Sequence, residues 1–229
     1  MGPFDEVLAS WRQEGEVWRG VLPEGFGQGR TVYGGLSAGM LVELVRRTAD
    51  RPVRTLQLQY LAPIVPGPVE GRIQVVRSGR SCTFVQVALV QDGRPGLVGY
   101  ATLTASRPAT DVEPPDAPVW GAPEDVPALP PVPGAIPEFV QHFSLRWVEG
   151  SMPFQGGEDA AFGAYVDFRE PASAPTQAHQ IGMLDAFPCP TLSVLGQPVP
   201  ASTVTWSAHL LAPPEVGVHR FRYRTVVAR

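Results

Sequence analysis

Residues 29–47 read GRTVYGGLSAGMLVELVRR, and within them Gly35-Leu36-Ser37-Ala38-Gly39 spells G-x-S-x-G, the pattern of a serine nucleophile elbow. An elbow needs a strand ahead of it in a parallel sheet built from β-α units, with Ser37, Asp185 and His209 then supplying a triad in order. Only 36 residues precede Ser37, and the runs that follow look antiparallel. From Gly34 to about Thr48 the apolar residues fall at helical spacing and arginines gather near the end, so this stretch predicts a helix opened by glycines. On that reading Ser37 is a small residue of the first turn.

Four strand-like runs come next. TLQLQYLAP alternates Leu56, Leu58 and Tyr60 against Gln57 and Gln59; VEGRIQVVRSG, SCTFVQVALVQ and LVGYATLTA follow, and Asp92-Gly93 supplies a hairpin turn between the last two. Residues 107–137 then hold ten of the 26 prolines and predict an extended linker. Beyond it, FVQHFSLRWVEG and AFGAYVDFRE alternate like strands and QAHQIGMLDAFP reads as a short helix. TVTWSAHLLAP and VHRFRYRTVVAR return to strand patterning, with Phe221, Tyr223, Thr225 and Val227 inward and Arg220, Arg222 and Arg224 outward.

The two blocks say the same thing twice. Leu61-Ala62-Pro63 matches Leu211-Ala212-Pro213, each with a threonine six residues earlier, Thr55 and Thr205, a helix upstream and a strand downstream. The expected fold is α+β: two antiparallel sheets, each wrapped around one central helix and joined by the Pro-rich linker. The expected units are 1–106, the linker 107–137, and 138–229. Measured against the first block, the second lacks its last strands, roughly 27 to 30 residues; a further chain pairing with the open sheet edge is the other account.

Composition narrows the chemistry. The 229 residues, 44% hydrophobic, suit a globular protein with a real core, and a net charge of -4 gives no basic surface for nucleic acid or anionic membrane. With no lysine among the 18 basic residues, Schiff-base, Walker-lysine and Ser-Lys chemistry within this chain are excluded. Cys82 and Cys189 have neither zinc spacing nor a disulfide framework, the N-terminus lacks the basic start of a signal peptide, and no run of about 18 apolar residues occurs. A soluble, cytoplasmic protein is expected.

In this order the segments resemble the double hotdog acyl-CoA thioesterases, the acyl-CoA thioesterase II family: GRTVYGG opening the first helix, a strand ending LAP, VRSGRSCTFVQVALVQDG, a proline-rich link, and a second copy with LDAFP and STVTWSAHLLAP. The resemblance implies hydrolysis of a fatty acyl-CoA to fatty acid and CoA, with no metal, cofactor or covalent intermediate, by a homodimer or higher homo-oligomer. Its water is held by an Asp, a Thr or Ser, and a Gln. By position these imply Asp185 and Thr203, with Ser202 and Thr205 as rivals, and a Gln beyond the last residue of the sequence.

Asp185 also stands on its own pattern. In a helix over His179–Phe187 it falls on the stripe of Ile181 and Leu184, where desolvation raises a carboxylate pKa toward that of a general base; a turn-capping carboxylate is the plainer alternative. Thr203 is an ordinary strand residue by pattern, whose hydroxyl could orient water. Tyr33, Gly34 and Gly35 are the expected substrate-binding residues, since a helix N-terminus offers N–H groups that polarise a thioester carbonyl; close helix packing requires small residues there too. Glu43 is explained by a surface ion pair with Arg46 and Arg47, His179 by a structural or pocket-lining role, and Cys189 has no base to make it a nucleophile. A double hotdog dehydratase is disfavoured, because His179 lies in the second half at the wrong spacing and the first half has no histidine. A non-catalytic acyl-CoA or acyl-binding protein is the remaining alternative.

Overall fold

The computed structural model describes residues 2–105, 119–132, 134, 136–172, 174–214, 216–217 and 219–225. After the short helix α1 (Pro3–Ala9), strands β1 (Arg12–Glu14) and β2 (Val17–Leu22) lead through a small hairpin, β3 (Gly27–Gln28) and β4 (Thr31–Val32), into α2 (Gly34–Thr48). Strands β5 (Val53–Tyr60), β6 (Gly67–Ser78), β7 (Cys82–Gln91) and β8 (Arg94–Thr104) follow. The second half contributes β9 (Phe143–Glu149), β10 (Ala161–Phe168), α3 (Gln177–Leu184), β11 (Thr205–His209) and β12 (His219–Arg224).

Helix α2 forms where the spacing predicts it. Every residue from Gly35 to Val45 is buried, which an amphipathic surface helix would not show. One side rests on β5–β8 and the other on α1 and α3. Each fully buried Leu or Met here contributes about 1.5–3 kcal/mol by leaving water. The covering strands alternate accordingly: Thr83, Val85, Val87 and Leu89 of β7 are buried, whereas Phe84 and Gln86 are exposed. At the β7–β8 hairpin Asp92 and Gly93 take φ of 50° and 75°, as the Asp-Gly turn predicts.

The sheets divide differently from the expectation of one sheet per half. A seven-stranded sheet runs β1-β2-β6-β7-β8-β5-β11, and a three-stranded sheet runs β12-β10-β9. β11 belongs to the second half in sequence, yet it pairs antiparallel with β5 from Thr205↔Gln59 to His209↔Thr55. β5 ends the run of first-half strands and β11 pairs with no other described strand, so their pairing satisfies a row of backbone groups that would otherwise form an open edge. β1 and β2, which lengthen the opposite edge, carry no pattern strong enough to be read as strands.

This pairing exposes an internal two-fold relation. The LAP match relates residues 150 apart, and Gln57 pairs with its own counterpart, Ser207. The helices repeat the relation through Gly39-Met40-Leu41 and Gly182-Met183-Leu184, 143 apart. A Cβ at Gly35 would lie 3.0 Å from the Gly182 carbonyl oxygen, and one at Gly39 would lie 3.1 Å from that of Ala178, which are equivalent contacts. The helices therefore cross antiparallel about Ser37 and Gln180.

The Pro-rich linker is partly ordered against the second half. Trp120 packs on Tyr165 and donates to Glu149 at 3.2 Å, Leu129 N–H donates to Leu145 at 2.7 Å, and Arg146 donates to the Val126 carbonyl. Residues 119–132 thus cover the three-stranded sheet; residues 107–118, 133 and 135 of the expected linker lie outside the described part, as does Val227. Among the described residues no helix is long and apolar enough to cross a membrane.

Candidate active site

The start of α2 lies against the end of α3. Tyr33, in extended conformation ahead of α2, is held by its N–H to Phe26, stacks on Phe139 at 4.3 Å, and donates its hydroxyl to the Gly182 carbonyl at 3.3 Å. That anchor, fully buried, fixes where α2 begins. At the other side α3 starts two residues before His179 and stops at Leu184, so Asp185 is its C-cap, with φ -100° and ψ 3°. The helix is shifted from the expected span because Pro188 denies it a continuation. Asp185 therefore leaves the helix at the start of α2 rather than lying on a helical stripe.

Gly34 and Gly35 make this approach close enough to matter. A Cβ on Gly34 would stand 2.8 Å from Asp185 Oδ2, and one on Gly35 would stand 2.9 Å from the Asp185 Cβ and 2.5 Å from the Tyr33 ring. Neither position has a positive φ, so glycine is required here for space and not for conformation. The Gly35 N–H donates to the Asp185 carboxylate. A helix start, with its unpaired N–H groups and positive dipole end, is a favourable place for that charge.

Burial nevertheless dominates. The Asp185 carboxyl is only partly accessible, and desolvation pushes its pKa up to about 7, against a smaller lowering by the Gly35 hydrogen bond. Three tyrosines share its surroundings. Tyr60 at the end of β5 donates its hydroxyl to Gly34 O at 3.1 Å, Tyr223 of β12 donates to Leu184 O at 3.1 Å, and Tyr33 donates as above. All three phenols are pushed upward, first by burial and then by the Asp185 charge, so they remain protonated donors. The site is a carboxyl group near neutrality, ringed by fixed hydroxyls.

Thr203 adjoins this cluster along the chain, one residue before Val204. It is exposed, in the segment before β11 and not on a strand, and its neighbour Val204 accepts the Tyr60 N–H at 2.9 Å. The backbone of β5 thus links Thr203 to the Tyr60 side of the site. Tyr60 and Tyr223 were not singled out by sequence reasoning, although Tyr60 closes an otherwise aliphatic inward row.

The rival residues are engaged elsewhere. Ser37 is buried and donates its hydroxyl to Gly34 O at 2.9 Å, all described strand pairings are antiparallel, and His209 sits on β11 opposite Thr55; a nucleophile elbow has no place here. Glu43 is not at the surface as expected but buried, accepting from Arg46 Nε at 2.9 Å and Arg47 Nε at 2.9 Å, while Arg47 also donates to the Leu8 and Trp11 carbonyls. It is the hub that fastens α1 to α2. His179 is structural: its Nε2 meets Asp5 at 2.9 Å, its Nδ1 accepts the Thr176 N–H at 3.0 Å, and burial lowers its pKa despite Asp5. Cys189 is exposed and Cys82 half-buried, both as free thiols. Among the described residues no group of three His, Cys, Asp or Glu side chains is placed to hold a metal ion. A cavity of about 490 Å³ opens at the opposite ends of the helices, beside Arg46, Arg51, Arg54, Thr176 and Gln177.

Comparison with known proteins agrees with this architecture. The acyl-CoA thioesterase N-terminal domain matches residues 22–104, and the acyl-CoA thioesterase C-terminal domain matches residues 123–229. No curated protein matches the chain. Among solved structures, a hotdog-fold protein of unknown function from Alicyclobacillus acidocaldarius is 22% identical with a TM-score of 0.90, over 100% of this chain and 88% of that one. A candidate thioesterase II from Thermobifida fusca is 23% identical with a TM-score of 0.87, over 100% and 89%. Acyl-CoA thioesterase II TesB2 from Mycobacterium marinum is 20% identical with a TM-score of 0.60, over 80% and 68%. At these identities the likenesses establish a hotdog fold. With both thioesterase domains matched in order along most of its length, the chain belongs to the acyl-CoA thioesterase family.

Proposed function

We propose that the protein hydrolyses an acyl-CoA thioester to the free acid and CoA by direct attack of water, with Asp185 as general base and no metal, cofactor or covalent intermediate. The observation that carries this reading is a carboxyl group with a pKa of about 7 held at the start of α2. Near neutral pH a large fraction is ionised and able to take a proton from water, yet basic enough to do so usefully. The water oxygen then bonds to the thioester carbon, the C–S bond breaks, and the proton on Asp185 passes to the departing thiolate.

Tyr33, Gly34 and Gly35 form the substrate-binding side. Because the Gly35 N–H serves Asp185, the Gly34 N–H is assigned to the thioester oxygen, where a backbone donor at a helix start supports developing negative charge. Thr203 is assigned to the rim, where its exposed hydroxyl can meet the acyl-CoA or its attacking water. The two units are taken as 1–106 and 138–229, linked through 107–137.

We further infer a homodimer or higher homo-oligomer that joins through the outer sheet face. There Gln86, Tyr100, Gln57 and Ser207 stand side by side on β7, β8, β5 and β11, all exposed and none charged. Charge-poor faces containing tyrosine suit association.

The test is thiol release from straight-chain acyl-CoAs of graded length by the full chain and by Asp185→Asn. Hydrolysis by the former, reduced about 100-fold or more in the latter, is expected. Tight acyl-CoA binding with no hydrolysis at any chain length would replace this reading with that of an acyl-CoA-binding protein.

A further inference from the structure

Tyr60 stands where a second partner for the attacking water is needed. The place that a Cβ on Gly34 would occupy is 2.8 Å from Asp185 Oδ2 and 3.1 Å from the Tyr60 hydroxyl. The two oxygens are therefore no farther apart than the sum of those distances, a gap within reach of one water making two hydrogen bonds of up to about 3.0 Å each. A side chain at 34 would crowd both oxygens.

The direction of the Tyr60 hydroxyl adds chemistry to the distance. Its proton goes to the Gly34 carbonyl, which leaves its oxygen to accept. We propose that Tyr60 is a catalytic residue that accepts one hydrogen of the nucleophilic water while Asp185 accepts the other, so that the water lone pair faces the thioester carbon. This rests on the hydrolytic reading above. Tyr60 keeps its own proton throughout: one water proton goes to Asp185 and on to the thiolate, and the other ends on the carboxylic acid product.

The internal two-fold relation supplies an independent comparison. Applying the strand and helix offsets, Tyr60 corresponds to Leu210, Asp185 to Val42, and Gly34 to Gln177. At that opposite end Gln177 fills the space and clasps Val53, its amide accepting the Val53 N–H at 2.8 Å and donating to the Val53 carbonyl at 2.7 Å. Carboxylate, phenol and glycine are all present at one end and all replaced at the other. If Tyr60 merely packed the end of β5, leucine would serve equally at both ends.

Tyr60→Phe in the full chain is the test, since it removes the oxygen and keeps the ring. With straight-chain acyl-CoA substrates, kcat should fall about 10- to 100-fold, KM should stay within about twofold, and the acid limb set by Asp185 should remain near pH 7. The melting temperature of the variant, and acyl-CoA affinity compared between Asp185→Asn and the Tyr60→Phe/Asp185→Asn double variant, separate a folding defect from a chemical one. A kcat within twofold of the unmodified protein, or a rise in KM alone, overturns the role of Tyr60 while leaving the hydrolytic reading intact. An unmodified protein that cleaves no acyl-CoA overturns both.

Discussion

Asp185 ties acidity to stability as well as to chemistry. Its carboxyl titrates near 7 in the fold against about 3.9 in an unfolded chain, so between those values the native state holds the extra proton. Stability from this group is therefore present at low pH and lost as pH rises from about 4 through about 7. Asp185→Asn, neutral at every pH, escapes that loss. Its melting temperature relative to the unmodified protein should climb across that window and level off above it, which thermal unfolding at matched pH values checks. Activity moves the opposite way: kcat/KM should rise through an acid limb near pH 7, because only the ionised form accepts a proton. A carboxylate that costs stability where it is active is characteristic of a functional position. The sequence pointed to Asp185 through a helical stripe, a route the structure changes, since the helix ends one residue earlier. Tyr60 was legible in principle from the repeat, because alignment on the two LAP segments sets it against Leu210; strand patterning alone files it with Leu56 and Leu58 as core.

At the scale of elements, the crossing of α2 and α3 depends on side chains that are not there. Gly35→Ala would place a methyl 3.0 Å from the Gly182 carbonyl and 2.5 Å from the Tyr33 ring, with both neighbours buried and unable to yield cheaply. It should cost about 1–3 kcal/mol in chemical denaturation and lower kcat by displacing Asp185. Glu43 tests the opposite end of the same helix. Glu43→Ala leaves Arg46 and Arg47 without their carboxylate and loosens α1, at about 1–3 kcal/mol given the partial exposure of both arginines. Thioester cleavage by this variant should stay within about twofold at a temperature where it is folded; a loss like that of Asp185→Asn would move the base to Glu43. Helix α2 was readable to the residue, because its glycine start and 3.6-residue periodicity are local signals. The partner of β11 was not, since an edge strand's neighbour is chosen by which other edge lies open, and nothing inside Thr205–His209 records that.

For the whole molecule, the proposed association face offers a direct measurement. Tyr100→Glu puts a charge at the centre of the Gln86–Tyr100–Gln57–Ser207 row, and light scattering should report a smaller particle than for the unmodified chain, with its fold intact by circular dichroism. The duplicated architecture was legible because two LAP segments carry it, whereas the joining of the halves through one continuous ladder emerged only in three dimensions. The divergence between the two ends of the helix pair has a kinetic consequence. The two-fold relation gives each chain two places where a helix start meets a helix end, and only one has a carboxylate at the position of Asp185, the other carrying Val42. A titration with an unreactive substrate analogue should therefore saturate the Asp185 end at one equivalent per chain. A monomeric form should follow simple hyperbolic kinetics, so any sigmoidal rate curve would have to originate between chains and vanish with Tyr100→Glu.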